Sequence, residues 1–154
     1  MEKNGYSKFF KEESFTTGCQ ILKEKVDEVI ANDVDPQSDP FFAVDGDPTT
    51  GWFAGTGIPY SELKVRLSES IPISTLLIQT WSPFDVVNKY EIYAKESTTS
   101  DLVKVGAKTV PIRGKIFPGD TTTVDIDINP PRNYQYFEVH VDGNTLIIEI
   151  KACS

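Results

Sequence analysis

Asp45, Asp47 and Thr50 stand within six residues of one another in the run AVDGDPTTGWF, residues 43–53, with Gly46 and Pro48 shaping a tight bend between them. A bend of this kind can turn two carboxylates, a hydroxyl and several carbonyls inward together. That donor set suits a hard cation, because calcium takes about six to eight oxygens at about 2.3–2.6 Å. The segment is not an EF-hand, which needs a loop of about 12 residues closed by a glutamate. Asp and Gly also populate turns for backbone reasons alone. The spacing by itself therefore leaves two readings, a cation site and a plain turn.

Other chemistry is sparse. The single histidine, His140, lies in YQYFEVHV with Tyr136 and Glu138 on its own face, and reads as a surface hydrogen-bonding residue. One histidine, no Ser/His/Asp set and no dedicated acid/base pair leave no basis for an enzyme. A glycine-rich phosphate loop is missing as well. The two cysteines, Cys19 and Cys153, cannot build a zinc site alone, and there is no CxxC. They read either as a disulfide joining the first segment of a domain to its last or as two reduced thiols.

The elements that must position these residues are strands. From about Glu62 the apolar pattern has period 2. Leu63, Val65 and Leu67 alternate with Glu62, Lys64 and Arg66, and Val124, Ile126 and Ile128 alternate with Asp125 and Asp127. Phe137, Val139 and Val141 share one face, and Leu146, Ile148 and Ile150 share another. Further strands are expected at 73–80, 89–95 and 102–106, whereas 20–30 (QILKEKVDEVI) fits helix or strand. Turn signals fall at Pro72, Pro83, Pro111, Pro118-Gly119-Asp120, Pro130-Pro131 and Asp142-Gly143-Asn144. Short strands at that spacing predict an all-β sandwich or barrel.

A chain of 154 residues fits one domain with a real core, and no apolar run is long enough to cross a bilayer. Residues 1–18 are polar, without periodicity, and are expected to form an N-terminal arm ahead of a domain at 19–154. That arm lacks the apolar stretch of a signal peptide. The expectation is either a cytoplasmic protein or an extracellular or particle-surface one whose leader has been removed. A net charge of −8 opposes nucleic acid and anionic membranes as main partners.

The order AVDGDPTTGW, SELKVRLSESIPISTLLIQT, NKYEIYAKE, PRNYQYFEVHV and LIIEIKAC resembles the discoidin or F5/8 type C domain, the group that includes the family 32 carbohydrate-binding modules. The likeness covers about residues 25–153 and is sharpest at the DGD turn, the YEIY strand and the closing EIK strand. It departs at VRLSES, where such domains carry a DLG-like segment. The resemblance implies a galactose-binding-like jelly-roll β-sandwich with one structural calcium held between the turn and the last strand. Carried over by position, the ligands are the side chains of Asp45, Thr50 and Glu149, Asp47 by side chain or carbonyl, and the carbonyls of Phe42 and Ile148. Glu149 interrupts the apolar strand LIIEI, and a covered carboxylate there would need a partner. Trp52, which completes the motif, is expected to pack in the core.

In such domains loops at one end of the sandwich take the ligand. Here the loops 52–60, 81–88 and 111–120 carry Phe53, Tyr60, Trp81, Phe84 and Phe117, with Asp85, Asn88 and Arg113 as polar partners. An aromatic face suits the C–H patch of a pyranose, and a few polar groups fix its hydroxyls. Galactose-type members place a histidine after the motif tryptophan and an arginine in the loop after the isoleucine-led strand. Phe53 and WSPFD stand at those places, so Trp81, Phe84 and Arg113 are chosen on loop position and chemistry alone. The expected function is non-catalytic glycan binding. A protein-interaction adaptor and a membrane-binding domain with Phe53, Trp81 and Phe84 as apolar spikes are the alternatives.

Overall fold

Alternation and turn chemistry dictate most of what the computed structural model contains; it describes residues 18–32, 38–55, 60–115 and 120–154. The strands are β1 (Cys19–Ile21), β2 (Val26–Ala31), β3 (Trp52–Ala54), β4 (Ser61–Trp81), β5 (Val86–Lys95), β6 (Val103–Ile112), β7 (Thr122–Asp142) and β8 (Thr145–Cys153). A 3-10 turn at Pro40–Ala43, capped by the Asp39 carboxylate accepting from the Phe41 N–H, precedes the acidic bend. The ambiguous 20–30 segment is strand. All pairings are antiparallel, in the order β1-β8-β4-β7-β5-β6, with β2 on β4 and β3 on β8.

Two 21-residue strands, β4 and β7, make the sandwich. They pair along their lengths but with register shifts between Arg66 and Ile71 and between Ile73 and Thr75. The first part of β4 carries β2, and its last part carries β8. The pair thus runs through both layers and turns the corner at the bulges, which bend and twist a strand. Leu63, Val65, Phe137, Val139, Tyr90 and Ile92 face Leu76, Ile78, Val124, Ile126, Ile147 and Ile150 across one buried core, with Trp52 in it as expected.

Three predicted turns are corrected. Pro72, Pro111 and Pro130-Pro131 lie inside β4, β6 and β7. Proline lacks the N–H a ladder needs, so it is tolerated at bulges and on edges. Pro72 sits between the two register shifts, Pro130 and Pro131 lie in the stretch of β7 that skips from Arg132 to Asp127, and β6 is an edge strand. The Asp142-Gly143-Asn144 turn is as expected, with Gly143 at φ +115°.

The grouping of Leu146, Ile148 and Ile150 is also corrected. A shift between Gln79 and Thr80 leaves Ile148 without a register partner on β4. Ile147 and Ile150 therefore both enter the core, while Leu146 turns to the loop end. Cys19 and Cys153 are cross-strand partners joined by a disulfide over a sequence separation of 134. Closing so long a loop stabilises by about 4–5 kcal/mol in the chain-entropy model. Of the expected arm, residues 1–17 lie outside the described residues.

Candidate functional site

At the loop end, an open pocket of about 220 Å³ is lined by Phe53, Trp81, Ser82, Pro83, Phe84, Asn144, Thr145 and Leu146. Its walls come from three places. Phe53 is the outward residue of β3 and is a direct partner of Leu146 on β8. Trp81 ends β4, also opposite Leu146. Phe84 follows in a loop pinned by the Ser82 hydroxyl, which donates to the Phe84 carbonyl at 2.7 Å. Phe53 and Phe84 are 41% and 55% exposed, large apolar faces that the core leaves uncovered.

The polar candidates divide. Asp85 accepts from the Gly114 N–H at 2.8 Å and the Lys115 N–H donates to the Ser82 carbonyl at 2.9 Å, so the loop bearing exposed Arg113 is tied to the Trp81–Phe84 loop. Asp85 thus shapes the site. Asn88 is fully buried and accepts from the Tyr90 hydroxyl, which removes it from any surface contact. Its alternation with Tyr90 and Ile92 carried that signal. Tyr60 is not at the pocket but on the sheet face, stacked on His140. Phe117 lies outside the described residues. Asn144 and Leu146 line the pocket and escaped sequence reasoning, since only the β8 register brings them there.

The acidic bend folds onto β8. Thr50 Oγ1 donates to Asp45 Oδ2 at 2.5 Å, and the Asp47 N–H donates to Asp45 Oδ1 at 3.0 Å. Asp47 turns its carboxylate to Thr49, accepting from the N–H at 2.8 Å and the hydroxyl at 2.6 Å, while its carbonyl faces Thr50. Its carboxyl is held below the ordinary value by those Thr49 hydrogen bonds, side chain first. The Gly46 N–H reaches across to Glu149 Oε1 at 3.0 Å. Glu149 is only 4% exposed, and its Oε2 is buried without a hydrogen-bond partner. Burial, with the nearby Asp45 and Asp47 charges adding to it against the Gly46 N–H, pushes its carboxyl up to about 7. Early bend and final strand thus meet, with a buried carboxylate oxygen left over. Phe42 sits in the 3-10 turn just ahead, and Ile148 is the bulged residue beside Glu149.

A second polar cluster occupies the outer face of β4, β7 and β5. His140 Nε2 lies 2.9 Å from Glu138 Oε1 and 3.1 Å from Glu62 Oε2. Among the described residues, these three are the His, Cys, Asp or Glu side chains whose ligand atoms all fall within 4.8 Å of one another. The expectation of a surface histidine is corrected: His140 is 8% exposed, because the Tyr60 and Tyr93 rings cover it, with centroids at 4.7 and 4.6 Å.

No protein-family model matches the chain, and no curated protein matches it. Solved structures do. The family 32 carbohydrate-binding module of C. perfringens NanJ, in complex with galactose, has a TM-score of 0.65 at 17% identity, covering 87% of this chain and 97% of that one. Chitosan-binding module 1 of the chitosanase/glucanase of Paenibacillus sp. IK-5 has a TM-score of 0.61 at 19% identity, covering 87% and 98%. The family 32 module of AlyQ, in complex with 4,5-unsaturated mannuronic acid, has a TM-score of 0.61 at 14% identity, covering 82% and 94%. Coverage is nearly complete on both sides while the sequences differ at most positions, so what is shared is architecture: the chain has the galactose-binding-like β-sandwich fold of the family 32 carbohydrate-binding modules.

Proposed function

We propose that this protein is a non-catalytic carbohydrate-binding module that takes glycans at the loop-end pocket and is braced by a structural calcium ion. The observation that carries the glycan reading is the convergence of Phe53, Trp81 and Phe84 on one open apolar pocket. A pyranose lays its C–H face on such rings, and Asn144 in the lining, with Arg113 on the loop tied to the Trp81–Phe84 segment, offers polar groups for its hydroxyls. The similar modules named above are in complex with galactose or an unsaturated mannuronic acid, or bind chitosan, which supports the ligand class and leaves the sugar open. A shallow site of this kind binds single sugars weakly and gains from avidity. Glycan-array screening followed by affinity electrophoresis tests the reading. The expected result is retardation on at least one polysaccharide, lost in Trp81→Ala; a wild-type protein that ignores every glycan at millimolar concentration sinks it.

The calcium reading rests on the turn. Its donors are all oxygen, as calcium requires. Glu149 Oε2 is a buried acceptor without a partner, which costs about 1–3 kcal/mol unless something satisfies it. Asp45, Thr50 and Glu149 by side chain, the Asp47 carbonyl, and the carbonyls of Phe42 and Ile148 would hold the ion. Bound there, it supplies positive charge that pins the bend to β8, with no part in any reaction.

A further inference from the structure

We infer that Glu62, Glu138 and His140 form a second cation site, on the outer sheet face, for a borderline first-row dication of the zinc type. The site is built by strand register. Glu62 on β4 is the direct partner of His140 on β7, and Glu138, two residues earlier, projects from the same face. Both carboxylates aim at one ring nitrogen, at 2.9 and 3.1 Å. An imidazole carries at most one hydrogen on Nε2, so two acceptors compete for one donor. A metal ion in place of that proton satisfies all three atoms at once. Zinc binds such nitrogen and oxygen ligands at about 2.0–2.2 Å, which sets tetrahedral edges of about 3.3–3.5 Å. The two spacings to His140 need to open by a few tenths of an ångström, and all three ligand atoms already lie within 4.8 Å of one another.

The surroundings hold the ligands in place. His140 and Glu138 are each more than nine-tenths buried. Tyr60 and Tyr93 clamp the imidazole, and the Tyr136 hydroxyl donates to Glu138 Oε2 at 2.5 Å, orienting the carboxylate from behind. Support of this kind tunes metal ligands. Lys64 lies 3.5 Å from Glu62 Oε1, the oxygen turned away from His140, and offsets part of the negative charge. A shallow pocket of about 80 Å³, bounded by Tyr60, Lys89, Glu91, His140 and Asp142, lies beside the imidazole. The nitrogen donor and the low oxygen count disfavour calcium, which prefers about six to eight oxygens. This site is therefore distinct in chemistry from the acidic bend.

The test is a titration of the full chain, stripped with EDTA and returned to excess calcium, with zinc by calorimetry and with cobalt(II) by visible absorption. One equivalent of zinc should bind, and cobalt should give ligand-field bands. His140→Gln and Glu138→Gln should each weaken zinc by roughly 100-fold, whereas Asp45→Asn at the bend should change it by less than about twofold. Wild-type protein that takes up no zinc at millimolar concentration overturns the proposal, as does binding that survives intact in His140→Gln. Should that variant not fold, Glu62→Gln, at a half-buried position, decides by the same criterion.

Discussion

The acidic bend and the sheet-face cluster both gather carboxylates, yet they treat them in opposite ways. On the sheet face, Glu138 is answered on both oxygens, by His140 and Tyr136. Burial alone would raise its carboxyl, but those hydrogen bonds and the Lys64 charge outweigh it and hold the group below its ordinary value. At the bend, Glu149 has one N–H donor and two anionic neighbours, and burial wins. The difference is one of supply. A regular antiparallel face sets donors opposite acceptors residue by residue, whereas a bend folded onto a strand brings the backbone it happens to have. Glu138 thus has a donor for each of its oxygens, whereas Glu149 has one oxygen waiting for a charge from outside.

The sharpest way to separate the two is calcium. At about 100 times its dissociation constant calcium should add about 2.7 kcal/mol, or about 5–10 °C in thermal midpoint for a domain of this size. Scans in calcium and in EDTA check this, and a midpoint that does not move breaks the comparison at the bend. Next, neutralising each buried glutamate in EDTA at pH 8 should have opposite signs. Glu138→Gln should lose about 2 kcal/mol, since it weakens hydrogen bonds to a charged acceptor, while Glu149→Gln should gain about 1–2 kcal/mol by removing an unanswered charge. Urea unfolding of the pair measures both, and equal signs would erase the contrast.

A pH series sharpens it further. A carboxyl at about 7 in the folded state and near 4.5 when unfolded binds more protons folded than unfolded between those values. Its contribution to stability is therefore full below pH 4.5 and falls as pH rises to 7, by at most about 1.4 kcal/mol per unit. Metal-free wild type should show this fall relative to Glu149→Gln, and saturating calcium should abolish it. The smallest effect expected is that of Tyr136→Phe, about 1 kcal/mol from the loss of one donor to Glu138, read by the same urea titration.

What the sequence made legible was what is local. Asp45, Asp47 and Thr50 occupy one bend, so type and spacing sufficed to single them out. Alternation fixed the core faces of Leu63, Val65 and Leu67 and of Phe137, Val139 and Val141. Glu149 came only through the resemblance, because its partner Gly46 lies 103 residues away. Long-range register defeated the rest. Leu146 reaches the pocket by pairing with Phe53 and Trp81, and Tyr60 leaves it because Ser61 begins β4 opposite Val141, which sets the tyrosine over the sheet. The pairing of Glu62 with His140 is of the same kind. Prolines misled for a different reason: a bulge tolerates them inside a strand, and bulges leave no plain trace in composition.

The disulfide sets where a pull on this molecule would be borne. Gly18 and Ser154 meet beside the bridge, the Ser154 N–H donating to the Gly18 carbonyl at 2.9 Å. Tension between those two residues runs through a pair of sulfur atoms and leaves the hydrogen-bonded ladders slack. Leu146 and Cys153 mark opposite ends of β8, about 23 Å apart at strand rise, so the pocket lies well away from that load path.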